Sequence, residues 1–144
     1  MTKYLKYEGN FKNGTLHGIG LILYTDGAFF HGEFSNNMRN GPGVLVIDKD
    51  DGAADLIFYT FWKDNKPEGN GLLQVPGSSY FGDFSNGLRH GKGLLINEHN
   101  GRPSYDGNWV KNKKEGHGNE WYENGKRYIG EFKNDLRDGI GVET

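Results

Sequence analysis

One spacing rule recurs along this chain and limits what it can fold into: aromatic, x, Gly, x, aromatic, then six residues, then Gly-x-Gly. It appears at Tyr7-Gly9-Phe11 with Gly18-Gly20, at Phe30-Gly32-Phe34 with Gly41-Gly43, and at Tyr80-Gly82-Phe84 with Gly91-Gly93. It returns at Tyr105-Gly107-Trp109 with Gly116-Gly118 and at Tyr128-Gly130-Phe132 with Gly139-Gly141, and a degenerate copy, Phe58-Thr60-Trp62 with Gly69-Gly71, fills the gap. The step from the second aromatic to the next glycine is seven residues in all six copies, while the copies begin 23, 28, 22, 25 and 23 residues apart. Variation is therefore confined to connectors, and each copy is one structural unit of a repeat array. Residues 1–144 read as a single array with repeats starting near 7, 30, 58, 80, 105 and 128.

Positions i, i+2 and i+4 of an extended chain share a face, so Tyr7, Gly9 and Phe11 lie together while Glu8 and Asn10 point oppositely. Each copy is expected to be a hairpin, with Phe11 opposite Gly18, Gly9 opposite Gly20 and Tyr7 opposite Ile22. The 24 glycines among 144 residues are more than twice the usual share of about 7%. Here they serve as sockets in which rings lie flat over backbone. The six-residue segment between the motif halves carries Asn13, Asn36, Asp64, Asn86 or Asn134 at its second position and reads as the hairpin turn. Connectors carry their own turn dipeptides, Asp26-Gly27, Asp51-Gly52, Pro76-Gly77, Asn100-Gly101 and Asn124-Gly125, and Asp50-Asp51 reads as turn as well. On the other face the residue after Gly-x-Gly forms an apolar stripe, Leu21, Val44, Leu72, Leu94 and Val142, broken by Asn119.

The expected fold is all-β: an elongated, single-layer antiparallel β-solenoid of six hairpins, with twelve strands spanning roughly 55 to 60 Å. One layer cannot bury both faces, so one of them stays partly open as a groove suited to an extended or helical segment of a partner. The groove candidates are the rings Tyr7, Phe11, Phe30, Phe34, Phe58, Trp62, Tyr80, Phe84, Tyr105, Trp109, Tyr128 and Phe132. Thr60 removes a socket, so local opening is expected to concentrate in repeat three. The end strands of an open ribbon are unpaired on one side, and the expected self-association is a homodimer through a terminal strand.

Nineteen acidic and 17 basic residues are spread evenly, which leaves no positive groove for nucleic acid. The absence of cysteine removes disulfides, thiol nucleophiles and thiolate metal sites and fits a reducing compartment. MTKYLKYEG has no apolar targeting core, and no run reaches membrane-spanning length, so the expected localisation is cytoplasmic. No Gly-x-Gly continues to a third glycine at dinucleotide spacing, and Asn86 stands where a phosphate loop ending at Gly91-Lys92 needs its first glycine. His17, His90 and His117 sit at loop ends in separate repeats, and His31 and His99 have no partner pattern, so no metal site is expected. Nucleophile, base and orienter cannot be placed together, so the chain reads as no enzyme and as needing no cofactor. The KNKK run at Lys111–Lys114 falls short of a basic cluster for anionic lipid and reads as a solvated hairpin tip.

The motif Y-x-G-x-F/W, six residues, then G-x-G and an aliphatic residue resembles the MORN repeat (membrane occupation and recognition nexus) from about Tyr4 to Val142. Repeat three departs from it, with Thr60 in place of glycine and the long connector DKDDGAADLI before it. The resemblance implies a non-catalytic scaffold or tether that links proteins to one another, to the cytoskeleton or to membranes. Two alternatives stay open beside a protein-binding scaffold: a peripheral membrane or phospholipid-binding module, and a regulatory array of a larger enzyme.

Overall fold

In a computed structural model, residues 4–48 and 55–144 are described. The Asp50-Asp51 and Asp51-Gly52 turns lie outside them. The strands are β1 (Tyr4–Lys12), β2 (Thr15–Tyr24), β3 (Phe29–Ser35), β4 (Met38–Ile47), β5 (Leu56–Lys63) and β6 (Lys66–Val75). They continue as β7 (Ser78–Ser85), β8 (Leu88–Asn97), β9 (Arg102–Val110), β10 (Lys113–Trp121), β11 (Arg127–Lys133) and β12 (Leu136–Glu143). All twelve form one open antiparallel sheet in chain order, as the repeat spacing requires. The connector glycines Gly27, Gly77, Gly101 and Gly125 all have positive φ, which closes the tight turns between hairpins.

The hairpin turn is shorter than the six-residue segment suggests. Only its second and third residues turn, and both take left-handed φ: 52° and 77° at Asn13-Gly14, 48° and 71° at Asp64-Asn65. This is the type I′ geometry whose twist matches the flanking strands. A two-residue turn pairs Lys12 with Thr15 and therefore Phe11 with Leu16, which corrects the expected pairing of Phe11 with Gly18. Tyr7–Ile22 and Gly9–Gly20 do pair as expected, because the register jumps between Gly9 and Asn10 and leaves Gly18 and Ile19 unopposed in β1. The same jump occurs in all six hairpins, in repeat three between Thr60 and Trp62.

Gly18 is used one strand further on. It pairs with Phe34 of the next repeat, and Gly41–Trp62, Gly69–Phe84, Gly91–Trp109 and Gly116–Phe132 follow suit. In the five full repeats the second glycine of the pair is a ring socket, while in repeat three Gly71 faces Thr60. A methyl group at Gly20 would come within 2.6 Å of the Tyr7 ring, and those at Gly93, Gly118 and Gly141 would overlap Tyr80, Tyr105 and Tyr128.

Candidate functional site

The ring face is a continuous ladder of twelve aromatics. Each first ring touches the second ring of its own repeat and, in repeats one to five, the second ring of the next: Tyr7–Phe11 and Tyr7–Phe34 at 5.2 and 5.6 Å, Tyr105–Trp109 and Tyr105–Phe132 at 5.1 and 5.2 Å. Most are edge-to-face, the arrangement the ring quadrupole favours. Phe58 keeps the ladder intact through degenerate repeat three by touching Trp62 and, at 4.7 Å, Phe84.

Tyrosine hydroxyls bond to the backbone at the register jump. Tyr7, Tyr80, Tyr105 and Tyr128 each donate from the hydroxyl to the carbonyl three residues on, those of Asn10, Asp83, Asn108 and Glu131. Trp62 and Trp109 donate Nε1 to the carbonyls of Gly43 and Gly93 in the preceding repeat. Burial pushes the Tyr105 hydroxyl up to about 12, and Tyr80 higher still.

Cations close over these rings from the fifth position of the six-residue segment. Arg39 lies 4.7 Å from the Trp62 ring, Arg89 4.4 Å from Trp109, Lys114 5.2 Å from Tyr105 and Arg137 4.8 Å from Tyr128. Of the twelve rings nominated from sequence, Phe30, Phe34, Phe58, Trp62, Tyr80, Phe84, Tyr105, Trp109, Tyr128 and Phe132 are buried, and Tyr7 is half-buried. Phe11 alone of the twelve is exposed.

The outer face differs. Direct cross-strand partners form an unbroken row from β2 to β8: Leu21, His31, Val44, Tyr59, Leu72, Phe81 and Leu94. Beyond it the row turns polar, at Asp106 and Asn119. Six strand spacings make the row roughly 30 Å long. Tyr59, Phe61 and Phe81 remain 59, 56 and 45% exposed. With Pro42 and Leu72 they line a shallow groove of about 380 Å³, and a second groove of about 230 Å³ bordered by Ile19, His31 and Val44 adjoins it at Pro42 and Tyr59. The sequence stripe contained Leu21, Val44, Leu72 and Leu94 but not the aromatics between them. Those occupy x positions of aromatic-x-Gly-x-aromatic, which are polar or charged in the first copy but Tyr59 and Phe61 in FYTFW and Phe81 in YFGDF.

Lys114 of the KNKK run is tied to Glu120 and stacked on Tyr105, not free at the tip. Among the described residues, no three His, Asp or Glu side chains gather to hold a metal ion, and no helix is long and apolar enough to cross a membrane.

Residues 7–29, 30–50, 61–76, 80–96, 105–127 and 128–144 each match the family described as MORN repeat. The chain belongs to the MORN repeat family. MORN repeats are non-catalytic interaction modules for proteins and membranes. This MORN array is similar to alsin of Homo sapiens, 31% identical over 141 residues, which is 94% of this chain and 8% of alsin. Alsin of Mus musculus matches to the same extent. The "inactive protein tyrosine kinase pTKL" of Plasmodium falciparum is 42% identical over 66 residues, 44% of this chain and 4% of that protein. The chain spans less than a tenth of the length of these relatives.

Proposed function

We propose that this MORN array is a non-catalytic scaffold that holds a segment of a partner protein across its outer face, over repeats two to four. The observation that carries the reading is the contiguous exposure of Tyr59, Phe61 and Phe81 in a groove running along the array. Single exposed apolar residues are ordinary on protein surfaces, but a contiguous apolar strip rimmed by polar groups marks an interaction site. The strip crosses the strands, so an extended or helical segment lying along the array meets successive side chains of the row. Aromatic anchors of this kind dominate binding energy where they are desolvated by a partner.

The test is affinity capture from source cells with the wild type and with a Phe61→Ser/Phe81→Ser variant, paired with vesicle sedimentation at physiological salt. The wild type should retain a defined protein that the variant loses while keeping its strand content by far-ultraviolet circular dichroism, because both side chains lie about half exposed, outside the buried ring ladder. Equal capture by both proteins, or sedimentation with phosphatidylserine vesicles in place of protein capture, overturns the reading.

A further inference from the structure

On the ring face the stacked cations fall into two groups. In repeats five and six each is matched by an acid six residues on: Lys114 pairs with Glu120, and Arg137 with Glu143 at 2.8 Å. In repeat two the residue six after Arg39 is Leu45, which is buried. Arg39 donates Nη2 to the Asn65 carbonyl at 3.0 Å and Nε to Asn65 Oδ1 at 3.3 Å, but its Nη1 is shielded from solvent without a hydrogen-bond partner. Among the described residues no carboxylate forms an ion pair with it. A half-buried guanidinium with an idle donor and no counter-charge is costly unless something supplies one.

The surroundings provide the room. Arg39 borders a groove of about 480 Å³ whose other walls include Phe11, Leu16, Ile22, Tyr24 and Phe34. Phe11 is the exposed ring of the ladder, and in the neighbouring repeats Leu16 and Pro67 occupy the position equivalent to Arg39. The cation therefore stands alone between apolar neighbours.

We propose that this ring-face groove binds the Asp or Glu side chain of a partner segment in which apolar residues flank the acid, the carboxylate supplying the counter-charge that Arg39 lacks. Leu45 fills the position that Glu120 and Glu143 hold in the later repeats, so the carboxylate approaches Arg39 from the groove, and the apolar flanks cover the exposed Phe11 ring. This site is on the opposite face from the Tyr59–Phe81 strip and does not depend on it. Desolvation, which lowers the Arg39 pKa, agrees with a charge awaiting a partner.

A random peptide library displayed on phage is selected on the intact protein, and the enriched peptides are titrated against three variants. Arg39→Leu places in repeat two the residue that repeat one already carries at Leu16, so the fold tolerates it; Arg39→Lys keeps the charge; Phe61→Ser alters only the outer face. Enrichment of acidic residues between apolar ones, with affinity reduced about tenfold or more by Arg39→Leu, partly restored by Arg39→Lys and unchanged by Phe61→Ser, is the expected result. Peptides without acidic enrichment, peptides indifferent to Arg39→Leu, peptides lost only with Phe61→Ser, or binding to phosphatidylserine vesicles that Arg39→Leu abolishes while no peptide binds, each overturn the proposal.

Discussion

Gly91 and Gly93 stand two residues apart under different constraints. Gly91 has φ of 105°, a conformation few side chains adopt, and it begins the register jump. Gly93 has ordinary φ and lies beneath the Tyr80 ring. The same division predicts two modes of failure in repeat five. At Gly107 a methyl group would meet the Gly118 backbone at 2.5 Å and the Tyr105 hydroxyl at 2.6 Å, so Gly107→Val should destabilise by on the order of 1 to 3 kcal/mol through overpacking. Urea unfolding measures it, and a midpoint equal to the parent's would refute the socket. A methyl group at Gly116 would make only ordinary contact with the Asn108 side chain, but φ there is 75°, so the smaller loss in Gly116→Ala, about 1 kcal/mol, should come from backbone strain. Tyr105 carries a further consequence. Its hydroxyl, normally near 10, is held at about 12 by burial, so between those values the folded chain binds more protons than the unfolded one. Stability should be at full strength below pH 10 and fall as pH rises towards 12, and Tyr105→Phe should lessen that fall in alkaline melts. The sockets were legible in sequence because ring and glycine alternate with period two. The first glycine's role was not, because spacing does not reveal which residues a bulge removes from the ladder.

Hairpins join through their turns. In repeats two, three, five and six the second turn residue docks on the repeat before it: Asn37, Asn65, Asn112 and Asp135 accept through Oδ1 from the backbone N–H of Leu16, Arg39, Arg89 and Lys114 at 2.8 to 2.9 Å. Their own N–H groups bond back to the same residues' carbonyls. Pro67 has no N–H to offer, and the turn that meets it carries Gly87, which only donates, to the Pro67 carbonyl at 2.9 Å. Asn112→Gly keeps the left-handed turn and removes the acceptor, so it should cost about 1 kcal/mol while leaving the Asn112 N–H bond in place. A chemical-denaturation midpoint unchanged within error would show that the side-chain bond contributes nothing. Repeat three follows a local rule of its own. Phe58 lacks the hydroxyl of the tyrosine repeats, and Thr60 donates instead to the Asn70 carbonyl at 3.0 Å. Restoring the family glycine by Thr60→Gly should therefore weaken the fold by about 1 kcal/mol, and adding Phe58→Tyr should recover part of it. Equal stability of wild type and single variant would remove Thr60 from this role.

Across the whole molecule, ring contacts run from Tyr7 to Phe132 without a gap, so stability passes between nearest neighbours and repeat three is not an interruption. Native-state hydrogen exchange should accordingly give β5 and β6 the protection of β7 and β8, contrary to the sequence expectation that Thr60 marks a soft point. A drop confined to β5 and β6 would restore that expectation. Strand number and strand order followed from a pattern repeated six times, whereas which face is buried did not, since the rings nominated as a groove are the core. The outer groove did not, because its aromatics sit where repeats differ from one another, and a search for sameness passes over them.

The sheet order also fixes how the array meets mechanical load. Strands lie across the long axis in chain order, so a pull on residues beyond Tyr4 and Glu143 acts on an edge strand, which peels away one hydrogen bond after another instead of shearing all of them together. Under an optical trap such a tether should yield at low force in a staircase, each tread roughly 80 Å long, the contour of one repeat at about 3.4 Å per residue. It would lengthen under strain and shorten again when slack, behaving as a spring between whatever it joins.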